Sequence, residues 1–309
     1  NGVMSLSYST EFRMEKQRMR SFLRELKLLV KGLVLVANVL PIISGFWIAL
    51  YFTNTSFSAL WDKFIIVAVG GTLVIAGALV LNNWYEVDLD REMHRTKERP
   101  TVTGTLSMQT ILYIGIAFSA VGFIFMLFTT VEAFIYAFLG WFTYVVPYTL
   151  WTKRRTTLNT IVGSISGAFT PLIGWAVVDT ALQLVPIAVF VILFLWQIPH
   201  TFAIAMRRHD DYKAAKVPML PVVYGFDVTK RQNVLWIAAM LPFTVFLYEL
   251  GIFFLVVALG INLVWLIYAI YGLFMEDNKK YADTMFYFSL SYLNIVFGLM
   301  IVLSFPIFH

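Results

Sequence analysis

Residues 82–104 read N-N-W-Y-E-V-D-L-D-R-E-M-H-R-T-K-E-R-P-T-V-T-G. The stretch follows directly on an apolar run at about 64–86, long enough to cross a bilayer. Asn82, Glu86 and Asp90 fall at i, i+4 and i+8. On a helix that spacing sets three oxygen-bearing side chains on one stripe. Asp88 is two residues off the stripe and points elsewhere. Arg91, Arg95, Lys97 and Arg99 follow at once, and Pro100 disfavours continuation of a helix. Taken alone, such a cluster is most simply a solvated charged loop at a helix end. Its place in the chain changes that reading.

The apolar run is one of many. Of 309 residues, 60% are hydrophobic and 13% charged, where soluble domains run near 25% charged. This predicts an all-α, polytopic membrane protein built as one membrane domain. The spans are expected at about 28–52, 64–86, 107–128, 132–150, 159–178, 183–206, 233–250, 252–275 and 284–307, nine transmembrane helices in all. Residues 1–27 form a basic N-terminal segment ahead of the 28–309 membrane domain. They lack the apolar core of a cleavable signal and suit a cytoplasmic position at the interface. With the N-terminus inside, every Lys and Arg except Lys63 lies on the inner side, as the positive-inside rule expects. The protein is therefore expected in the cell membrane, N-terminus cytoplasmic and C-terminus outside. The long polar loops share the cytoplasmic face, so an active site should open there.

Composition excludes other classes. There is no cysteine, hence no disulfide, no thiolate metal site and no covalent c-type haem. No Walker, G-x-S-x-G or H-x-x-x-H pattern occurs. The net charge of +5 fits inner basic loops against membrane lipid, with no nucleic-acid partner expected.

Ionisable groups at the depth of Glu86 are costly and usually face a protein interior or an aqueous cavity. Mg2+ takes one or two protein carboxylates, keeps waters and is completed by substrate phosphates. A carboxylate stripe beside Arg95, Lys97 and Arg99 thus reads as a diphosphate–Mg2+ site, with membrane-surface charge as the alternative. In the loop 207–231, Asp210 or Asp211 could hold a second cation or orient the first; an ordinary solvated loop is the alternative. Lys153 and Arg154 are topology anchors or contacts for a departing diphosphate. His200, in P-H-T-F, could bond a neighbouring helix, touch a porphyrin or move a proton.

At N-x-x-x-E-x-x-x-D followed by R-T-K-E-R-P, the sequence resembles the UbiA-type intramembrane prenyltransferases. Y-T-L-W-T-K-R-R-T-T-L-N, W-Q-I-P-H-T-F and D-D-Y-K-A-A-K-V-P-M-L-P-V-V-Y-G extend the resemblance to the branch that farnesylates protohaem IX. Glu86 stands where that pattern usually has Asp, and the second motif lacks the D-x-x-x-D of quinone-type members. The resemblance implies farnesyl diphosphate and haem B as substrates and Mg2+ as cofactor. Asn82, Glu86 and Asp90 would be the metal and diphosphate group, completed by Asp210 or Asp211. Arg95, Lys97, Arg99, Lys153 and Arg154 would contact diphosphate, and Tyr148 and His200 the prenyl chain or haem. Haem A synthase or terminal-oxidase assembly partners would take the product. A quinone- or chlorophyll-type acceptor and a non-enzymatic transporter are the rival readings.

Overall fold

The computed structural model describes residues 2–308, with side chains described for 11–307, and the described residues contain helices but no strand. A long N-terminal helix, α1 (Gly2–Leu29), precedes α2 (Gly32–Phe52) and α3 (Phe57–Tyr85). Short helices α4 (Val87–Glu92) and α5 (Pro100–Thr103) carry the polar stretch. Next come α6 (Met108–Leu127) and α7 (Val131–Thr143), which opens into a wide π-helical segment, Tyr144–Trp151. Then follow α8 (Asn159–Ala168), α9 (Thr170–Ala176), α10 (Leu184–Arg207), α11 (His209–Ala214), α12 (Leu220–Tyr224), α13 (Phe226–Val245), α14 (Ile252–Gly272) and α15 (Asn278–Leu303).

Local chemistry sets several of these boundaries. Ser107, Thr130 and Asp277 cap α6, α7 and α15 by accepting from Thr110 N, Ala133 N and Lys280 N. Pro100 opens α5 at a first-turn position, where its missing N–H costs nothing. Pro147, with no N–H to give, lies inside the π segment that widens the end of α7.

Among the described residues, seven helical stretches are long and apolar enough to cross a membrane: α2, α3, α6, Val131–Arg154, α10, α14 and α15. The other two expected spans look different. The stretch expected at 159–178 is divided into α8 and α9, of 10 and 7 residues. The stretch expected at 233–250 falls in α13, whose opening turns carry Asp227, Lys230 and Arg231, and ends in a tight turn at Tyr248–Leu250. Large apolar residues such as Leu127, Val256 and Ile267 are exposed. That pattern is costly in water and neutral in lipid.

Close helix contact rests on small residues. A Cβ on Gly77 of α3 would collide with Ser119 of α6, and one on Gly174 of α9 with the Ile42 carbonyl of α2. These contacts let backbones approach and gain dispersion contact where water supplies no hydrophobic drive. The bundle forms a partly open cavity of about 800 Å³ between α2, α3, α7, α8, α10 and α15.

Candidate functional site

α3 ends at Tyr85, but its hydrogen-bond ladder continues. Glu86 N donates to Asn82 O and Asp90 N to Glu86 O, at 2.9 Å each. The kink at Glu86 (φ −95°, ψ 18°) therefore leaves Asn82, Glu86 and Asp90 stacked on one stripe. All three are buried, with Glu86 only 1% exposed. Buried carboxylates persist only when paired, and here each carboxylate of the stripe has its own cation, while the amide is met by Lys31. Lys31 donates to Asn82 Oδ1. Lys153 Nζ lies 2.6 Å from Glu86 Oε2, and Arg99 Nη1 lies 2.7 Å from Asp90 Oδ2.

The surrounding residues fix these cations. Arg99 also donates to Asn83 Oδ1 at 3.0 Å, and Asn83 Nδ2 donates to Leu29 O at 2.6 Å. Asn82 Nδ2 donates to Thr149 Oγ1 at 2.9 Å, which ties the stripe to the π segment. Lys31 holds a left-handed backbone (φ 51°, ψ 59°) between α1 and α2. For a non-glycine residue that conformation is strained and needs surrounding contacts to persist. Nothing local in the sequence marks Lys31, Asn83 or Thr149 as part of the cluster. A lone lysine at the edge of an apolar span was the one available signal.

The other expected site residues divide into groups. Lys153 sits over the Tyr148 ring, 5.6 Å from its centroid. Tyr148, Tyr144 and Arg95 line the cavity beside the stripe. Arg154 instead makes a two-pronged contact with Asp88, at 2.7 and 2.8 Å. The hydrogen bond from Arg154, helped by its charge, holds the Asp88 carboxyl below the usual carboxylate range. Lys97 is exposed. Asp210 points to solvent beside His209, while Asp211 accepts from His94 N at 3.2 Å and so joins the two polar loops. His200 lies across the cavity on α10.

The donor set suits a hard divalent cation. Two carboxylates and an amide oxygen share one stripe, and Glu86 Oε1 is buried with no hydrogen-bond partner. Among the described residues no three His, Cys, Asp or Glu side chains group closely enough to hold a metal by themselves. The remaining ligands would have to come from a bound phosphate and water. Lys153 spans from Glu86 to the ring of Tyr148, which lines the mostly apolar cavity, so the charged cluster is a neighbour of that cavity. A charged cluster beside an apolar cavity suits an amphiphile with an anionic head and a hydrocarbon tail.

Residues 38–291 match the UbiA prenyltransferase family. The chain belongs to that family. Among curated relatives, protoheme IX farnesyltransferase of Oceanobacillus iheyensis is 49% identical over 294 residues, covering 95% of this chain and 94% of that protein. Protoheme IX farnesyltransferase 2 of Bacillus subtilis is 45% identical, covering 89% of this chain and 90% of that one. Solved structures share the UbiA fold. One is of digeranylgeranylglyceryl phosphate synthase, with a TM-score of 0.73 at 18% identity over 91% of this chain and 98% of that one. A UbiA homologue from Archaeoglobus fulgidus, bound to DMAPP and Mg2+, has a TM-score of 0.63 at 16% identity over 89% and 99%.

Proposed function

We propose that this chain transfers the farnesyl group of farnesyl diphosphate to a vinyl group of haem B, giving haem O. The carrying observation is the buried stripe of Asn82, Glu86 and Asp90, its carboxylates paired with Lys153 and Arg99, next to an apolar cavity through the Lys153–Tyr148 contact. The choice of haem as acceptor is supported by the names of relatives that match along nearly the whole chain.

Glu86, Asp90 and Asn82 are the residues that would hold Mg2+ together with the diphosphate. Bound there, Mg2+ would neutralise charge on the leaving diphosphate. Lys153, Arg99 and Arg95 supply further positive charge, positioned before the reaction begins. The C1–O bond of the farnesyl diphosphate breaks and its electron pair leaves with the diphosphate. The terminal vinyl carbon of haem B bonds to C1. The positive charge, now on the carbon next to the porphyrin, is captured by water, which releases a proton. Tyr144, Tyr148 and Trp141 face the cavity and stabilise the allylic cation through their ring faces.

Arg154 and Asp88 hold the turn after the π segment to α4, and Asp211 docks α11 on the stripe loop; both are positioning roles. The topology we assign is nine-spanning, with α8–α9 and α13 completing the seven apolar helices. The N-terminus and polar loops lie on the cytoplasmic face, and residues 1–27 form an interfacial arm. A polar pocket lined by His94, Arg207, Arg208, Asp211, Lys279 and Asp283 shares Arg207 and Arg208 with the cavity, which supports an opening on that face.

An acceptor competition tests this reading. Membranes containing the chain are given labelled farnesyl diphosphate with haem B or with 4-hydroxybenzoate. Label should enter only the haem. Label in the benzoate instead would move the chain to the quinone-type branch.

A further inference from the structure

His200 is held more firmly than a cavity-wall residue requires. Its ring stacks on Trp196 (centroids 4.7 Å apart, 15° between planes) and on Phe286 (5.5 Å, 23°). Arg207 closes the stack from the far side of Phe286, its guanidinium 4.3 Å from that ring centroid. The imidazole is therefore clamped on both faces. Its in-plane rotation is fixed by a 2.7 Å contact between Nδ1 and Ser289 Oγ.

The neighbours of Ser289 also decide the tautomer. The Ser289 hydroxyl donates its single proton to the Phe286 carbonyl at 2.6 Å. It can only accept from His200. Nδ1 therefore carries the ring proton, and Nε2 carries a lone pair. Nε2 has no protein partner and is not among the sealed, unpartnered atoms, and His200 lines the cavity. The basic nitrogen thus faces open cavity space.

A histidine whose far nitrogen donates to a fixed acceptor, leaving the near nitrogen basic, has the arrangement found at metal-ligating imidazoles. Haem iron takes His, Cys, Met or Tyr as axial ligand. Among the described residues lining this cavity, His200 is the one histidine, and no Met or Cys lines it. The two cavity-lining phenols, Tyr144 and Tyr148, lie on the π segment with their rings 5.4 Å apart and tilted by 39°, and neither is held by a clamp like that on His200. We infer that His200 Nε2 is the axial ligand of the acceptor haem iron, holding the porphyrin across the cavity from the diphosphate stripe. Ser289, Trp196 and Phe286 orient that ligand. The inference rests on haem B being the acceptor.

Coordination needs no redox change: the lone pair of Nε2 enters an axial position and displaces water. The clamp fixes the imidazole plane, and the porphyrin lies roughly perpendicular to it. The acceptor would be located by its iron as well as by its apolar surface, so a porphyrin without iron should bind less well.

The test uses the full chain, purified in detergent, titrated with haem B in both oxidation states and no farnesyl diphosphate. The parent should give the optical and magnetic-resonance signature of imidazole-ligated haem. His200→Ala should lose that signature and bind haem at least tenfold more weakly, and free imidazole should restore the signature. His200→Met should shift the spectrum rather than erase it. Binding of farnesyl diphosphate with Mg2+ reports that each variant is folded. If His200→Ala misfolds, the His200→Met shift decides. An unchanged spectrum in a folded His200→Ala or His200→Met overturns the ligation and leaves the acceptor assignment standing. A parent that binds no haem overturns both.

Discussion

Lys153 Nζ lies 2.6 Å from Glu86 Oε2, while Glu86 Oε1 is buried with no partner of its own. The pair joins the turn after the π segment, Thr152–Arg154, to the end of α3 across 67 residues of chain. A carboxylate satisfied on one oxygen only is poised to take a second cation. Removing Lys153 leaves a buried charge uncompensated, a loss of roughly 3–5 kcal/mol for such pairs. Lys153→Met should therefore lower thermal stability, measured by a melting assay in detergent. Mg2+ with a diphosphate analogue should recover more of that loss in the variant than it adds to the parent.

Asp90 is the second carboxylate of the stripe, and its cation Arg99 has an alternative anchor in Asn83. Asp90→Ala should consequently insert and fold while losing prenyl transfer by about 10²–10³-fold or more in kcat, the scale of removing a preorganised electrostatic contact. Radiolabel transfer from farnesyl diphosphate, normalised to folded protein, checks this. Glu86→Asp keeps the charge and should retain most activity.

The Asp88–Arg154 pair predicts a pH response restricted to acid. The Asp88 carboxyl is held below its ordinary value by the Arg154 hydrogen bond. Its contribution to stability is present above the unfolded-state value, about 3.9, and is lost as pH falls through the lowered folded value. Asp88 is 61% exposed, so solvent screening keeps the effect small. Melting curves of parent and Asp88→Asn should run parallel from pH 5 to 8 and converge only below about pH 4.

Gly77 predicts a packing defect. A larger residue there must push α3 from Ser119, which also holds the Trp141 indole at 3.0 Å. Gly77→Val should destabilise by about 1–3 kcal/mol, the usual scale of overpacking. Trp141 fluorescence should change with it.

Much of this site was legible because its key spacing is local. Asn82, Glu86 and Asp90 are four residues apart, and the helical ladder that aligns them needs no distant partner. The helices themselves follow from long apolar runs. What brings Lys31 to Asn82 is tertiary packing across 51 residues, and no pattern in the sequence encodes it. The division of 159–178 is similar. Which carbonyl Gly174 meets depends on where α2 lies. Arg154 and Lys153 are neighbours in sequence with the same charge, yet one turns inward to Glu86 and the other to Asp88. The turn at Thr152–Arg154 separates them, and composition cannot foresee it.

The central claim is tested most directly by incubating the purified chain with haem B and farnesyl diphosphate, with and without Mg2+, and resolving the haems by mass. Haem O should form with Mg2+, stop on chelation and be absent in Asp90→Ala. Haem B recovered unchanged in the presence of Mg2+, or haem O formed equally by Asp90→Ala, would contradict the account.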